Sequence, residues 1–242
     1  KEQVVSENFK GVSAQVGGYD NLNQVIKAST LSESDWEQLF SRLSFMRPGI
    51  VRLTGSEGWN YLLNGQFNPE KSKDIVFKIL DYCESNNVEV IWGEWGHVGG
   101  PSTYDQEWLN RSISFLEYLV NTKNYSCVKY FTMVNEPNGD WSTTNGNYNL
   151  WKNILIKTYE VMLKKGLTKI KLLAPGIAVS SGAFTGSTNV NHPWIVNSVK
   201  ELNNIIESYD AHFYPGDNQV ENDKFFKTSE AYRKLVPNDK DF

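Results

Sequence analysis

The chain has 242 residues, 40% of them hydrophobic, 21% charged and 13% aromatic, and its 24 basic and 28 acidic residues leave a net charge of −4. That mixture excludes a disordered chain and supplies no basic footprint for nucleic acid or an anionic membrane surface. No apolar run approaches the roughly 18 residues of a membrane span, and a chain of this length buries about 70% of its unfolded surface, enough for one sizeable core.

Short apolar, β-rich runs alternate with long helical patterns, and no linker separates them. Val12 to Gly17 predicts a first strand. A helix follows from about Ser32 to Met46, with Trp36, Leu39, Phe40 and Leu43 on one face and Ser32 as its cap, three residues before Asp35. The second strand is Gly49 to Thr54, after Pro48. The next helix, about Pro69 to Asn86, turns Ile75, Ile79, Tyr82 and Cys83 inward. Val88 to Trp92 makes a third strand that runs into Gly93-Glu94-Trp95-Gly96, and its helix spans about Tyr104 to Thr122. The fourth strand, Val128 to Val134, precedes a helix from Tyr148 to Lys165 that Gly166 closes. Ile170 to Ala174 is the fifth strand, followed by a Gly/Ser/Thr-rich loop and a helix from Pro193 to about Ile206. Tyr209 to Tyr214 is the sixth, and a last helix covers about Asp223 to Leu235.

Six β-then-α units in strict order predict a parallel sheet with helices outside it, either doubly wound or closed as a barrel. Gly17-Gly18-Tyr19 is not the glycine-rich turn of a nucleotide fold, and no P-loop occurs. The unusual residues instead follow several different strands: Arg52, Trp92 to Trp95, Asn135-Glu136, His212 and Tyr214. A site assembled from many strand ends is the mark of a barrel. The expected fold is therefore α/β, a TIM (β/α)8 barrel with about six βα units, as a single domain over residues 1–242.

The strongest chemical signal is Val134-Asn135-Glu136-Pro137-Asn138, directly after an apolar strand. A carboxylate at a strand end, followed by proline, stands on a fixed backbone, and Asn135 beside it offers a donor and an acceptor to a sugar hydroxyl. Glycoside cleavage needs two carboxyl groups flanking the bond. The plainer alternative is a turn that opens a loop. On the sixth strand Asp210, His212 and Tyr214 share one face by alternation, as a barrel lumen would have them; a structural histidine under a loop is the other reading. On the second strand Arg52 shares a face with Thr54 and points inward, so it must be paired, either with a carboxylate cluster or in a structural ion pair. Loop aromatics, namely Trp59, Tyr61, Trp92, Trp95 and Trp141, suit the apolar faces of pyranose rings, with Trp95 and Trp141 the best candidates for contact. Trp36, Trp108 and Trp151 fall at helical core positions. Glu94 and His97 either join the site or are solvated loop charges. Cys83 and Cys127 read as buried thiols, and no metal-ligand spacing or cofactor motif is present.

The Asn-Glu-Pro after the fourth strand resembles the acid/base motif of the clan-A glycoside hydrolases, the retaining β-glycosidases built on (β/α)8 barrels. The resemblance spans roughly residues 9 to 242, and the run Asn135 to Trp141 is most similar to cellulase-like and xylosidase-like members. It implies that Glu136 is the general acid and base, that Arg52 braces the catalytic carboxylates, and that His212 and Tyr214 orient the nucleophile and line the sugar site. Asn135, Trp95 and Trp141 would complete substrate binding, with no cofactor and no metal. It also implies a nucleophilic glutamate at the end of a seventh strand. Pro237 to Asp241 reads as the turn leading there, so the chain is expected to leave the barrel open beside its sixth strand, with strands seven and eight missing. Glu136, beside such a nucleophile and among aromatics, would have its pKa raised, less so without that neighbour, with Arg52 acting the other way. The implied substrate is an oligo- or polysaccharide, placing the protein outside the cell or in the periplasm. Two other functions stay open: a non-catalytic carbohydrate-binding protein on a degenerate barrel, and a barrel enzyme acting on phosphorylated metabolites.

Overall fold

The structure is a computed structural model and describes residues 11, 13–17, 30–95, 105–187 and 192–242. Its residues group into two compact units, Lys1–Gly93 with Ser114–Lys129, and Glu94–Ile113 with Tyr130–Phe242.

In the first unit, in chain order, come β1 (Ala14–Gly17), α1 (Glu33–Met46), β2 (Ile50–Gly55), a short hairpin of β3 (Leu62–Leu63) and β4 (Gln66–Phe67), α2 (Lys73–Ser85) and β5 (Glu89–Glu94, whose last residue is counted with the second unit). The division falls within α3 (Gln106–Glu117) and within β6 (Val128–Thr132). α1 starts where the sequence says it should. The Ser32 hydroxyl accepts from the Asp35 N–H, and the Asp35 carboxylate accepts from the Ser32 N–H in return. β1 and β2 pair in parallel, with Gln15 opposite Arg52, and the order continues through β5 to the start of β6, where Val90 N–H donates to Cys127 O at 2.8 Å. Val51, Leu53, Val90 and Ile79 are buried, and Tyr61 stacks on Phe115 with ring centroids 4.8 Å apart.

α2 begins at Lys73 rather than Pro69, because the intervening residues form turns and Lys71 donates its ammonium to the carbonyls of Gly58 and Leu62. The π-helix Glu57–Tyr61 and the β3/β4 hairpin were not expected; both are too short to leave a periodic signal.

The second unit adds α4 (Tyr148–Lys164), β7 (Lys171–Val179), α5 (Pro193–Leu202), β8 (Ser208–Phe213), α6 (Asp217–Glu221) and α7 (Lys224–Arg233). Strands β6, β7 and β8 lie side by side and parallel. β7 runs five residues past Ala174, where the expected fifth strand ends, and passes through Pro175-Gly176. The strand survives because Gly176, at φ +60°, shifts the register locally while its N–H donates to the Asp210 carboxylate of β8 at 2.7 Å. α5 opens with Pro193 in its first turn, and α4 buries Trp151, Ile154 and Leu155. Tyr232 of α7 packs edge-on against Phe213 of β8, 5.3 Å between centroids. On the other side of β8, Asp241 bridges Ser208 in parallel, and Tyr209 N–H donates to Asp241 O at 2.9 Å.

Cys83 and Cys127 are buried, and burial pushes the Cys83 thiol up to about 12, so it stays protonated. Among the described residues no helix is long and apolar enough to cross a membrane.

Candidate active site

The site lies wholly within the second unit. Glu136 stands four residues past the end of β6 with φ +46°, a left-handed conformation that costs a non-glycine residue about 1–2 kcal/mol. Its surroundings hold it there. Glu136 O accepts from Gly139 N–H at 3.0 Å, and the carbonyl of Pro137 accepts from the hydroxyls of Thr144 (2.8 Å) and Ser142 (3.3 Å).

The carboxylate itself is gripped at both oxygens. Oε1 accepts from the Tyr214 hydroxyl and lies 3.0 Å from His212 Nδ1, which donates to it when protonated. Oε2 accepts from Trp141 Nε1–H at 3.1 Å. Behind the histidine, Nε2 is 3.7 Å from Asp210 Oδ2, within ion-pair range, while the other Asp210 oxygen is held by Gly176 N–H. Asp210, His212 and Tyr214 therefore do share one face of β8 and its continuation, as alternation predicts. Glu136 is only 8% exposed, whereas the Trp141 indole that touches it is 64% exposed. A buried acid beside an open aromatic plate is chemically suited to a sugar: the plate offers contact area, and the carboxyl offers or takes a proton.

The pKa of Glu136 moves the opposite way to the upward shift expected of a general acid. Burial pushes it up and is the largest single influence, but the hydrogen bonds from His212 and Tyr214, the His212 charge and the Trp141 N–H together outweigh it and leave the carboxyl below its ordinary range. The downward pull expected of Arg52 comes instead from His212 and Tyr214. Because Oε1 already takes Tyr214 and faces His212, a transferable proton belongs on Oε2, on the Trp141 side.

Of the other expected site residues, Asn135 is buried at 5% exposure, and Trp95 is 45% exposed just after β5. Arg52 belongs to the first unit, where its Nη1 donates to Gln15 Oε1 at 3.2 Å across the β1/β2 pair. Two of the loop aromatics turn out to be core: Trp92 and Tyr61 are fully buried against Phe115, while Trp59 is 40% exposed. Glu94, for which a solvated loop charge was one reading, is buried, its Oε1 3.5 Å from Trp108 Nε1. His97 lies outside the described residues. Among the described residues no cluster of three His, Cys, Asp or Glu side chains is assembled that could hold a metal ion.

Gly139 was not singled out by its sequence position, yet it supports the site. A Cβ there would lie 2.3–2.6 Å from the Trp141 ring, so the indole rests directly on this glycine. Gly139→Ala is expected to displace Trp141 and break its bond to Oε2, seen as a red-shifted tryptophan emission. Unchanged emission would show that the indole needs no such support.

No family model matches the sequence, and no curated protein matches it. Solved structures match in fold. The GH39 enzyme from Xanthomonas axonopodis pv. citri superposes with a TM-score of 0.57 at 12% identity, covering 86% of this chain and 41% of that one. A GH39 β-xylosidase from Caulobacter crescentus gives 0.54 at 11% identity, over 96% and 51% of the two chains. A psychrophilic glycoside hydrolase family 10 endo-β-1,4-xylanase gives 0.53 at 13% identity, over 93% and 71%. The chain thus has an α/β fold consistent with part of a TIM barrel and similar to that of (β/α)8 glycoside hydrolases, and it spans about half the length or less of the first two.

Proposed function

We propose that this protein is a glycosidase that cleaves β-glycosidic bonds of an oligo- or polysaccharide with retention, with Glu136 as general acid and then general base. The observation that carries this reading is the Glu136 carboxyl, held at a costly φ of +46°, gripped at both oxygens, and set beside the open Trp141 indole. In the first step Oε2 protonates the leaving oxygen while a second carboxylate attacks the anomeric carbon. In the second step the ionised Glu136 takes a proton from water as it displaces that carboxylate. The reading assigns the second carboxylate to a strand paired beside β8, where Asp241 bridges Ser208. A carboxylate so close adds like-charge repulsion and pushes Glu136 upward, toward the range an acid needs. Polysaccharide substrates favour action outside the cytoplasm.

The lowered pKa of Glu136 favours a second reading. An ionised carboxylate held by three side chains is also a good acceptor for sugar hydroxyls, which suits carbohydrate binding without catalysis. One experiment separates the two. The full-length protein, given aryl β-xylosides, aryl β-glucosides and β-1,4-linked xylo-oligosaccharides, is expected to release products whose first-formed anomer is β by proton NMR. Binding to the oligosaccharides with no hydrolysis would favour the second reading, and an α first product would refute retention.

A further inference from the structure

The side chain of Asn138 acts as a short piece of β-strand. Its Nδ2 donates to Ala178 O at 2.9 Å, and its Oδ1 accepts from Ala178 N–H at 2.8 Å, so one amide satisfies both main-chain groups of a β7 residue. Beyond this point β6 has already ended; it pairs with β7 through Tyr130 opposite Lys171 and Phe131 opposite Leu172. The amide thus extends the ladder on that edge of β7. On the opposite edge, Ala178 is the register partner of His212, and Val179 O accepts from Tyr214 N–H at 3.0 Å. The same two residues of β7 therefore fix Asn138 on one side and the His212-Tyr214 pair on the other. Glu136 is two residues before Asn138 and must meet both His212 and Tyr214.

We infer that Asn138 is the positioning residue of the Glu136 acid/base, docking the loop that carries Glu136 onto β7 in register with His212 and Tyr214. The inference rests on the glycosidase reading for its kinetic consequence but not for its geometry. A left-handed residue in a loop is not held by its own torsional preference, so some contact outside the loop must set where its carboxyl points. Ser142 and Thr144 tie Pro137 only to the loop's own residues. The Asn138 amide ties the loop to the sheet. Neither test substitution reproduces it: alanine removes both bonds, and an ionised aspartate keeps the acceptor but sets a second oxygen against Ala178 O.

The test uses Asn138→Ala and the milder Asn138→Asp in the full-length protein. Misplacing a catalytic group by about 1 Å costs on the order of 10²-fold. Both variants are expected to lose about that factor on oligosaccharides and much less on a nitrophenyl glycoside, whose leaving group needs no proton. Adding Asn138→Ala to Glu136→Gln should cost little more, because the acid is already gone. The second readout needs no activity. With carboxyl-labelled glutamate, assigned through Glu136→Gln, the NMR titration of Glu136 should rise toward the ordinary carboxylate value in Asn138→Ala, as His212 and Tyr214 let go; these and the uncharged Trp141 are the groups that hold it, with Asp210 behind His212. An equal loss on every substrate, full additivity with Glu136→Gln and an unmoved titration would overturn the inference. A wild-type protein that cleaves no glycoside, with the titration still moving in the variant, would overturn the glycosidase reading and leave the positioning role standing.

Discussion

On the glycosidase reading, replacing Glu136 by Gln is expected to divide substrates by their leaving groups. The substitution keeps the shape but removes the proton, the contribution for which general acid–base catalysis supplies about 10²–10⁴-fold. A natural sugar leaving group departs as an alkoxide unless it is protonated, so its hydrolysis should fall by that whole factor. A nitrophenolate departs unaided, and its glycosylation step should be only mildly slowed. The second step also loses its base, so a glycosyl intermediate should build up and appear as a burst of nitrophenol. Azide, which attacks without giving up a proton, should then restore turnover as a β-glycosyl azide. The geometry adds one detail. The amide oxygen of the variant belongs at the Oε1 position, facing Tyr214 and His212, which turns its NH2 toward the Trp141 Nε1–H. Two donors then face each other, and Trp141 is expected to swing away, visible in its emission. Equal small losses on natural and activated substrates would remove Glu136 from the acid/base role and bring the carbohydrate-binding reading forward.

What could be read in the sequence was local or periodic. The capping pair Ser32 and Asp35 lies within one turn, and the start of α1 follows from it. The face shared by Asp210, His212 and Tyr214 follows from the two-residue repeat of a strand, and a carboxylate after an apolar strand marks Glu136. What escaped the sequence depends on partners far along the chain. The fifth strand is expected to end at Ala174, yet it continues through Pro175-Gly176, where Asp210, 34 residues later, takes the Gly176 N–H. Asn138 looks like one more loop residue until its amide finds Ala178, 40 positions on. A position after a strand does not say which way a side chain turns, and so Trp92 and Tyr61, expected at a cleft, are core. The direction of the Glu136 pKa was illegible for a related reason. It is a sum of burial against several opposing contributions from His212, Tyr214 and Trp141, and the balance depends on which neighbours are counted. A second carboxylate would change that balance, and the sequence contains the donors but not their distances.

His212→Ala should move the pH profile in a direction fixed by these contacts. His212 pulls the Glu136 pKa down through its hydrogen bond and its charge, and removing it leaves burial opposed only by Tyr214 and Trp141. The pKa of Glu136 must therefore rise. On the glycosidase reading Glu136 works as general acid when protonated, so activity on natural substrates is lost as pH climbs through its pKa. A higher pKa carries this basic limb of kcat/KM to higher pH. At the same time the carboxyl loses a charge-assisted bond worth about 1.5–3 kcal/mol, and with it part of its orientation, so the rate at the optimum should fall roughly 10- to 100-fold. The variant is thus slower at its best pH but keeps a larger share of that rate in alkaline buffer. Tyr214→Phe removes an uncharged donor to the same oxygen and should shift the limb the same way with a smaller loss of rate. Asp210→Asn offers a further check on the chain of contacts. It removes the carboxylate 3.7 Å from His212 Nε2 without touching Glu136, so, as a protonated His212 loses that ion-pair partner, it should shift the limb upward while leaving the emission of Trp141 unchanged. A basic limb that stays in place in His212→Ala, or moves to lower pH, would mean that a group other than Glu136 carries the proton.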